Sequence, residues 1–284
     1  MMQLMLKLLM LTLLSSGVLS AKSTHEAKVE KNLIDYVKRA INVNKDFKLK
    51  EIRVRQSKTL EKLPEWKVYF LDIDLAMTKK KGEIMTVHDK IFSNGTFIVR
   101  DFINMINKAS LKDKIAADLD DSFYKADHLL YGNANAENKI VAFSDPICPF
   151  CQTYMPKLLK AAKEHPDKIA LYYYHFPLTM LHKEAPTVIK AILVAEEHGV
   201  KNVVEKVYAA KFAMDTDDDK KILAEFNKAV GTHITQADIV GQGILAHYSA
   251  DIEAAGKMML SGTPTIYVNG KKDFSRNKYK EMIK

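Results

Sequence analysis

The sequence is poor in cysteine, in long apolar runs and in clustered positive charge, and each shortage narrows what the chain can be. Only two of its 284 residues are cysteines, Cys148 and Cys151. A small disulfide scaffold scatters its cysteines to close long loops, whereas a bridge across so short a loop removes little freedom from the unfolded chain. The pair therefore points to chemistry rather than to stapling. Past the N-terminus no apolar run approaches the length needed to cross a bilayer, about 20 residues. The net charge is +8, but the lysines are spread along the chain among 35 acidic residues. No arginine-rich stripe with interleaved aromatics is present, so nucleic acid is not an expected partner. Internal repeats and low-complexity tracts are also lacking.

What is there suits a folded chain, with 47% hydrophobic and 27% charged residues, enough length for two domains. Residues 1–21 read as a signal peptide: Lys7 gives the positive charge, residues 8–14 the short apolar run, and Ser15 to Ala21 the small residues for a cut near Ser20 or Ala21. An uncleaved anchor is the alternative, against which Lys7 and the Ser15-Ser16-Gly17 break both count. Export would place the mature chain where disulfides persist.

Residues 22–100 form an expected α+β unit. Val29, Leu33, Ile34, Val37 and Ile41 share a helical face over 26–43. KLKEIRVR at 48–55 alternates as a half-buried strand, and 66–75, 82–92 and 96–99 are further strands. A hairpin tip falls at 79–82 and a turn at Asn94-Gly95. In residues 101–131, Phe102, Ile103, Ile106, Ile115, Leu119 and Phe123 recur at helical spacing and predict a linker helix. Gly132 then opens a second domain over 132–284. In it KIVAFS at 139–144, a helix after the cysteines and IALYYYHF at 169–176 make a β-α-β unit. Tyr172, Tyr173 and Tyr174 are expected to alternate between core and surface. A helical stretch over 184–259, broken near Gly199, Asp215 to Asp219 and Gly231, leads to a strand at 263–268 and a short helix at 279–283.

Disulfide exchange needs one accessible sulfur that is partly thiolate at neutral pH, and a second sulfur near enough to resolve the mixed disulfide. A CxxC at a strand-to-helix junction supplies both. Cys148 at the helix N-terminus meets free N–H groups and the positive end of the dipole, which lower its pKa. It is expected to be the exposed nucleophile. Cys151, one turn inside, is the shielded resolving thiol, and Pro149 suits the first turn because it has no N–H to waste. The competing zinc reading is weak, because a lone CxxC offers two ligands where zinc wants four. No metal and no cofactor are expected. Asp145 is placed to cap the turn into the CxxC, while His175 and His182, flanking HFPL, read as structural more readily than catalytic.

FSDPICPFC at 143–151, HFPL at 175–178, the helical insertion and GTPTIYVNG at 262–270 together resemble the periplasmic Dsb-type thiol:disulfide interchange proteins of the thioredoxin superfamily. The resemblance covers the chain from about residue 132 to its end. It implies an α/β thioredoxin-like catalytic domain in which Thr263–Pro264 is cis and faces Cys148. Thr263, Pro264, Pro149 and Phe150 would then form the substrate-binding surface. By element order the N-terminal half is similar to the cystatin-like α+β dimerisation domain and linker helix of the DsbC/DsbG branch. Thr263 before the proline, and Ala142 where oxidases and thioredoxin keep a buried acid, are similar to that branch too. Phe150, which cannot donate a hydrogen bond to the thiolate, implies a milder oxidant. The extra disulfide of a DsbC catalytic domain is missing here.

The resemblance thus implies a periplasmic homodimer that isomerises or reduces disulfides in unfolded or mis-oxidised exported proteins and exchanges electrons with a membrane redox partner. A DsbA-like oxidase with an added domain, and a chaperone in which the cysteine pair is secondary, are the competing readings.

Overall fold

The computed structural model describes residues 24–41, 47–78 and 83–284. The expected signal peptide and the hairpin tip at 79–82 lie outside the described residues. Val29, Leu33 and Val37, each four residues from the next, put one buried stripe on helix α1 (Thr24–Ile41). That stripe lies on an antiparallel sheet of β1 (Phe47–Leu60), β2 (Leu63–Met77), β3 (Ile84–Ser93) and β4 (Ile98–Val99), in that order. The Asn94-Gly95 turn forms as expected, the Asn94 side chain accepting from the backbone N–H groups of Thr96 and Phe97. Strand β2 is apolar on both faces. Tyr69, Leu71 and Ile73 meet α1, while Val68 and Phe70 join Phe92 and Leu60 in a core shared with the C-terminal half.

Residues 101–131 are not the continuous helix that their apolar spacing predicts. They hold the one-turn helix α2 (Leu111–Lys114), two short 3-10 turns, Asp121–Phe123 and Ala126–His128, and a final short strand, Leu129–Tyr131. Asn104, Asn107, Ser110 and Asp120 each bind a nearby backbone N–H through their side chains, and such bonds compete with helix. Phe102 leaves the presumed stripe to pack edge-on against Trp66 and Phe92, whereas Ile106 is exposed.

The second sheet runs β5 (Leu129–Tyr131), β7 (Ile169–His175), β6 (Asn138–Ser144), β8 (Thr265–Val268), β9 (Lys271–Lys272). Its first strand begins at Leu129, three residues before Gly132. Gly132 itself has φ +86°, and a Cβ there would sit 1.8 Å from the Ile169 carbonyl oxygen, so only glycine lets the chain pass. Strands β6 and β7 are parallel and joined by α3 (Pro149–Glu164), while β8 is antiparallel to β6. Between β7 and β8 lie α4 (Ala185–Glu197), α5 (Val203–Ala210), α6 (Asp219–Val230) and α7 (Gln242–Lys257), and the chain ends with α8 (Tyr279–Met282). This is the thioredoxin-like α/β fold with a helical insertion.

Side-chain alternation sorts this sheet into two faces. Ile140, Ala142, Leu171, Tyr173 and Ile266 meet α3 to α6. Val141, Phe143, Tyr172, Tyr174 and Tyr267 meet α7, residues 117–123 and the N-terminal sheet. All three tyrosines of 172–174 are buried. The expected surface position does not exist, because Phe123, Tyr124, His128 and α7 cover what would be the solvent face. Arg55 of β1 adds a 2.6 Å hydrogen bond to the Lys257 carbonyl at the end of α7.

Candidate active site

Strand β6 ends at Ser144, and Asp145 turns the chain so that Cys148 becomes the N-cap of α3. The turn is braced by the Asp145 carboxylate, which is fully buried. Oδ1 accepts from the Ile147 N–H at 2.8 Å, and Oδ2 from the Leu178 N–H at 2.8 Å. His182 Nδ1 lies 2.7 Å from the same Oδ2. The expected cap therefore forms, and it also ties the loop after HFPL to the loop before the cysteines. Pro149 occupies the first turn of α3 as expected.

Both cysteines are free thiols. The Thr263–Pro264 bond is cis, and the Thr263 carbonyl oxygen lies 3.7 Å from Cys148 Sγ. Cys148 is not exposed as expected, however: 4% of its surface is open. The facing proline loop covers a residue that helix geometry alone would leave at the tip. Its pKa is lowered to about 5, first by a hydrogen bond from the Cys151 thiol, which outweighs burial. The Thr263 side chain and the backbone N–H groups of Cys151 and Phe150 add to the effect. The Thr263 hydroxyl is buried with no hydrogen-bond partner among the described residues, which leaves it free to donate to a thiolate. Cys151 goes the other way: burial first, then the neighbouring sulfur, raise its pKa well above the ordinary range. The electrostatics thus make one sulfur the thiolate and the other the proton-bearing thiol.

Behind Cys151 the side chains of Ser144 and Thr263 partly favour its ionised form. Ser144 Oγ lies 2.7 Å from the Tyr208 hydroxyl, which lies 2.7 Å from that of Tyr173. Ala142 is buried on the same strand without any polar group, so hydroxyls from β6, β7 and α5 supply the polarity here. Sequence reasoning missed this chain, and Tyr208 lies in a helix with nothing local to mark it.

Large apolar side chains stand exposed on the first turn of α3 and on the loop after HFPL. Phe150 is 73% exposed, Met180 94% and Leu181 72%. Asp145 fixes the backbone at Leu178 and the ring of His182, so the loop carrying Met180 and Leu181 is held on the side of the Cys148 turn. Phe150 was expected at this surface. Met180 and Leu181 were not, although the apolar residues that follow HFPL were there to be noticed. Gln152 Nε2 donates to the carbonyls of Pro146 and Phe212, at 3.2 and 3.0 Å, and closes the other side. His175 is 3% exposed; its backbone N–H donates to Asp251, not to any residue of the cysteine turn.

The family model described as Thioredoxin matches residues 124–284. Among curated proteins the chain is similar to the Na(+)/H(+) antiporter NhaA 1 of Mycolicibacterium gilvum, 27% identical over 145 residues, 50% of this chain and 23% of the antiporter. The same-named protein of Mycobacterium sp. strain KMS is 26% identical over 150 residues, 51% of this chain and 24% of that one. The chain therefore matches less than a quarter of the length of these relatives. Among solved structures it is similar to a thioredoxin-like oxidoreductase from Silicibacter pomeroyi, with 20% identity, 58% of this chain and 95% of that one covered, and a TM-score of 0.47. It is also similar to oxidised BdbD from Bacillus subtilis, with 21% identity, 60% and 95% coverage, and a TM-score of 0.44.

Proposed function

The chain belongs to this thioredoxin family, and from that premise we propose that it is an exported, periplasmic thiol:disulfide oxidoreductase that isomerises and reduces disulfides in mis-oxidised proteins. The observation that carries the reading is Cys148: a sulfur at the N-terminus of α3, facing the cis Thr263–Pro264 loop, with its pKa lowered to about 5. Its thiolate attacks a client disulfide, forming a Cys148–client bond and releasing a client thiolate. In isomerisation that thiolate attacks a second client disulfide, and the thiol so freed attacks the mixed disulfide and expels Cys148. In reduction Cys151 passes its proton to the departing client sulfur and attacks Cys148, and a membrane redox partner later returns two electrons to the pair. Phe150, Met180 and Leu181 would hold the apolar side chains that misfolded clients expose, and Thr263 and Pro264 their backbone.

The DsbC/DsbG-like homodimer belongs to the same reading. Its support is β1, which ends the N-terminal sheet with no strand beyond it among the described residues, an edge on which a second copy can pair. The linker helix of that branch has no counterpart among the described residues, so the two cysteine turns would be set apart by the N-terminal unit rather than by an arm.

One observation favours the oxidase reading. A thiolate stabilised this far favours the reduced pair and makes the disulfide form oxidising. Thiol trapping of the exported protein separates the two. Cys148 found reduced in cells supports isomerisation, and a fully oxidised pair overturns it in favour of the oxidase. Light scattering that gives a monomer mass removes the dimer and leaves the chemistry standing.

A further inference from the structure

A second buried polar cluster lies away from the cysteines, where α7 crosses the ends of β5 and β7. His247 and Asp251 stand one turn apart on α7, and His128 closes the 3-10 turn before β5. Asp251 Oδ1 lies 2.7 Å from His128 Nε2 and 4.0 Å from His247 Nε2. One ligand atom from each of the three residues falls within 4.8 Å of the others. We infer that His128, His247 and Asp251 form a binding site for a divalent transition-metal ion of the zinc type.

Four features support a metal rather than a plain ion pair. Two imidazole nitrogens and one carboxylate oxygen suit zinc and its neighbours, whereas calcium and magnesium want oxygen alone. Around a tetrahedral zinc, ligand atoms sit about 3.3 Å apart, given bonds of about 2.0–2.1 Å. The observed 2.7 Å needs to open and the 4.0 Å to close, each by less than an ångström.

The outer contacts are also in place. His128 Nδ1 lies 2.7 Å from Asp127 Oδ1, and Asp251 Oδ2 accepts the His175 N–H at 2.9 Å. Carboxylate–histidine–metal relays are built this way, and they fix the ring and its tautomer. Finally, a cavity of about 220 Å³ is lined by His128, His175, Glu196 and His247. His175 is 3% exposed and its Nδ1 has no partner among the described residues. Zinc sites with three protein ligands leave a fourth position for water, and this cavity offers the room and a polar lining for it. Binding replaces the proton that His128 Nε2 shares with Asp251, and that proton leaves to solvent.

The site departs from the expectation that the chain holds no metal. Its test removes the thiols. Full-length C148S/C151S protein, stripped with chelator, is titrated with Zn²⁺ by calorimetry. One ion per chain and a rise in melting temperature are expected. Adding His247→Ala, at the open end of the cluster, should weaken binding at least about tenfold, and Asp127→Asn should weaken it by roughly 10–100-fold. Co²⁺ in the same protein should show tetrahedral absorption without thiolate charge transfer. Absence of Zn²⁺ binding in C148S/C151S, or binding that His247→Ala leaves unchanged while circular dichroism reports a native fold, overturns the site. Neither result touches the disulfide chemistry, which rests on the cysteines that this experiment deletes.

Discussion

Asp145 and Asp251 are the same device used twice. Each carboxylate is fully buried, and each accepts a backbone N–H and faces a histidine ring nitrogen 2.7 Å away. Their settings differ. Asp145 lies in the turn between β6 and α3 and ties the loop before Cys148 to the loop at Leu178. Asp251 lies on α7 and faces two histidines, His128 and His247, that line a cavity. A buried carboxylate with satisfied bonds is thus a brace in one place and a potential ligand in the other. The nearby groups decide which, not the aspartate.

The largest effect is expected at the sulfur beside the Asp145 turn. Cys148→Ser should reduce turnover of scrambled disulfides to the uncatalysed rate, because no other sulfur is placed to attack; residual catalysis in a refolding assay would place the nucleophile elsewhere. Next come the two carboxylates. Asp145→Ala leaves one buried and one half-buried N–H group and a histidine without their acceptor and should cost about 3 kcal/mol or more in denaturant unfolding. It should also slow exchange, since the Cys148 turn and the Leu178 loop lose their tie. Asp251→Asn should destabilise by a smaller amount, about 1–3 kcal/mol, with the exchange rate of the reduced protein unchanged. Equal loss of exchange in both variants would show that the two sites are one unit.

A gentler probe is pH. With the Cys148 pKa lowered to about 5, alkylation by iodoacetamide should stay fast from neutral pH downward and fall only as the thiolate is protonated near pH 5. The same shift stabilises the reduced fold. That contribution is full above the unfolded thiol's pKa of about 8.5 and is lost as pH falls toward the folded value. An alkylation midpoint near 8 would overturn this assignment of charge. The smallest effect is expected from Thr263→Val, which removes one donor and should raise the midpoint by less than about one unit.

Much of the Cys148 site was legible because its parts are local or carried by short motifs. The CxxC, Pro149, Asp145 and the Thr263-Pro264 pair each stand in a pattern that limits what the backbone can do. The reading failed where long-range packing decides. Exposure of Cys148 depended on a loop more than a hundred residues away. The linker helix was drawn from apolar spacing alone, while Asn104, Asn107, Ser110 and Asp120 were binding their own backbone. Alternation gives the three tyrosines of β7 a surface side, and that side is covered by Phe123, Tyr124, His128 and α7. The His128 cluster was invisible for the same reason: His247 and Asp251 share a helix face, but their partner comes from another element, far back in the chain.

Val68, Phe70 and Phe92 of one sheet lie in a single apolar core with Phe143, Tyr174 and Tyr267 of the other. Heat or denaturant should therefore meet one cooperative unit rather than two, with a single transition by every probe. A catalytic half cut free at residue 124 would expose an aromatic face to water and tend to self-associate. The N-terminal sheet thus supplies part of the apolar core on which the thioredoxin-like sheet rests.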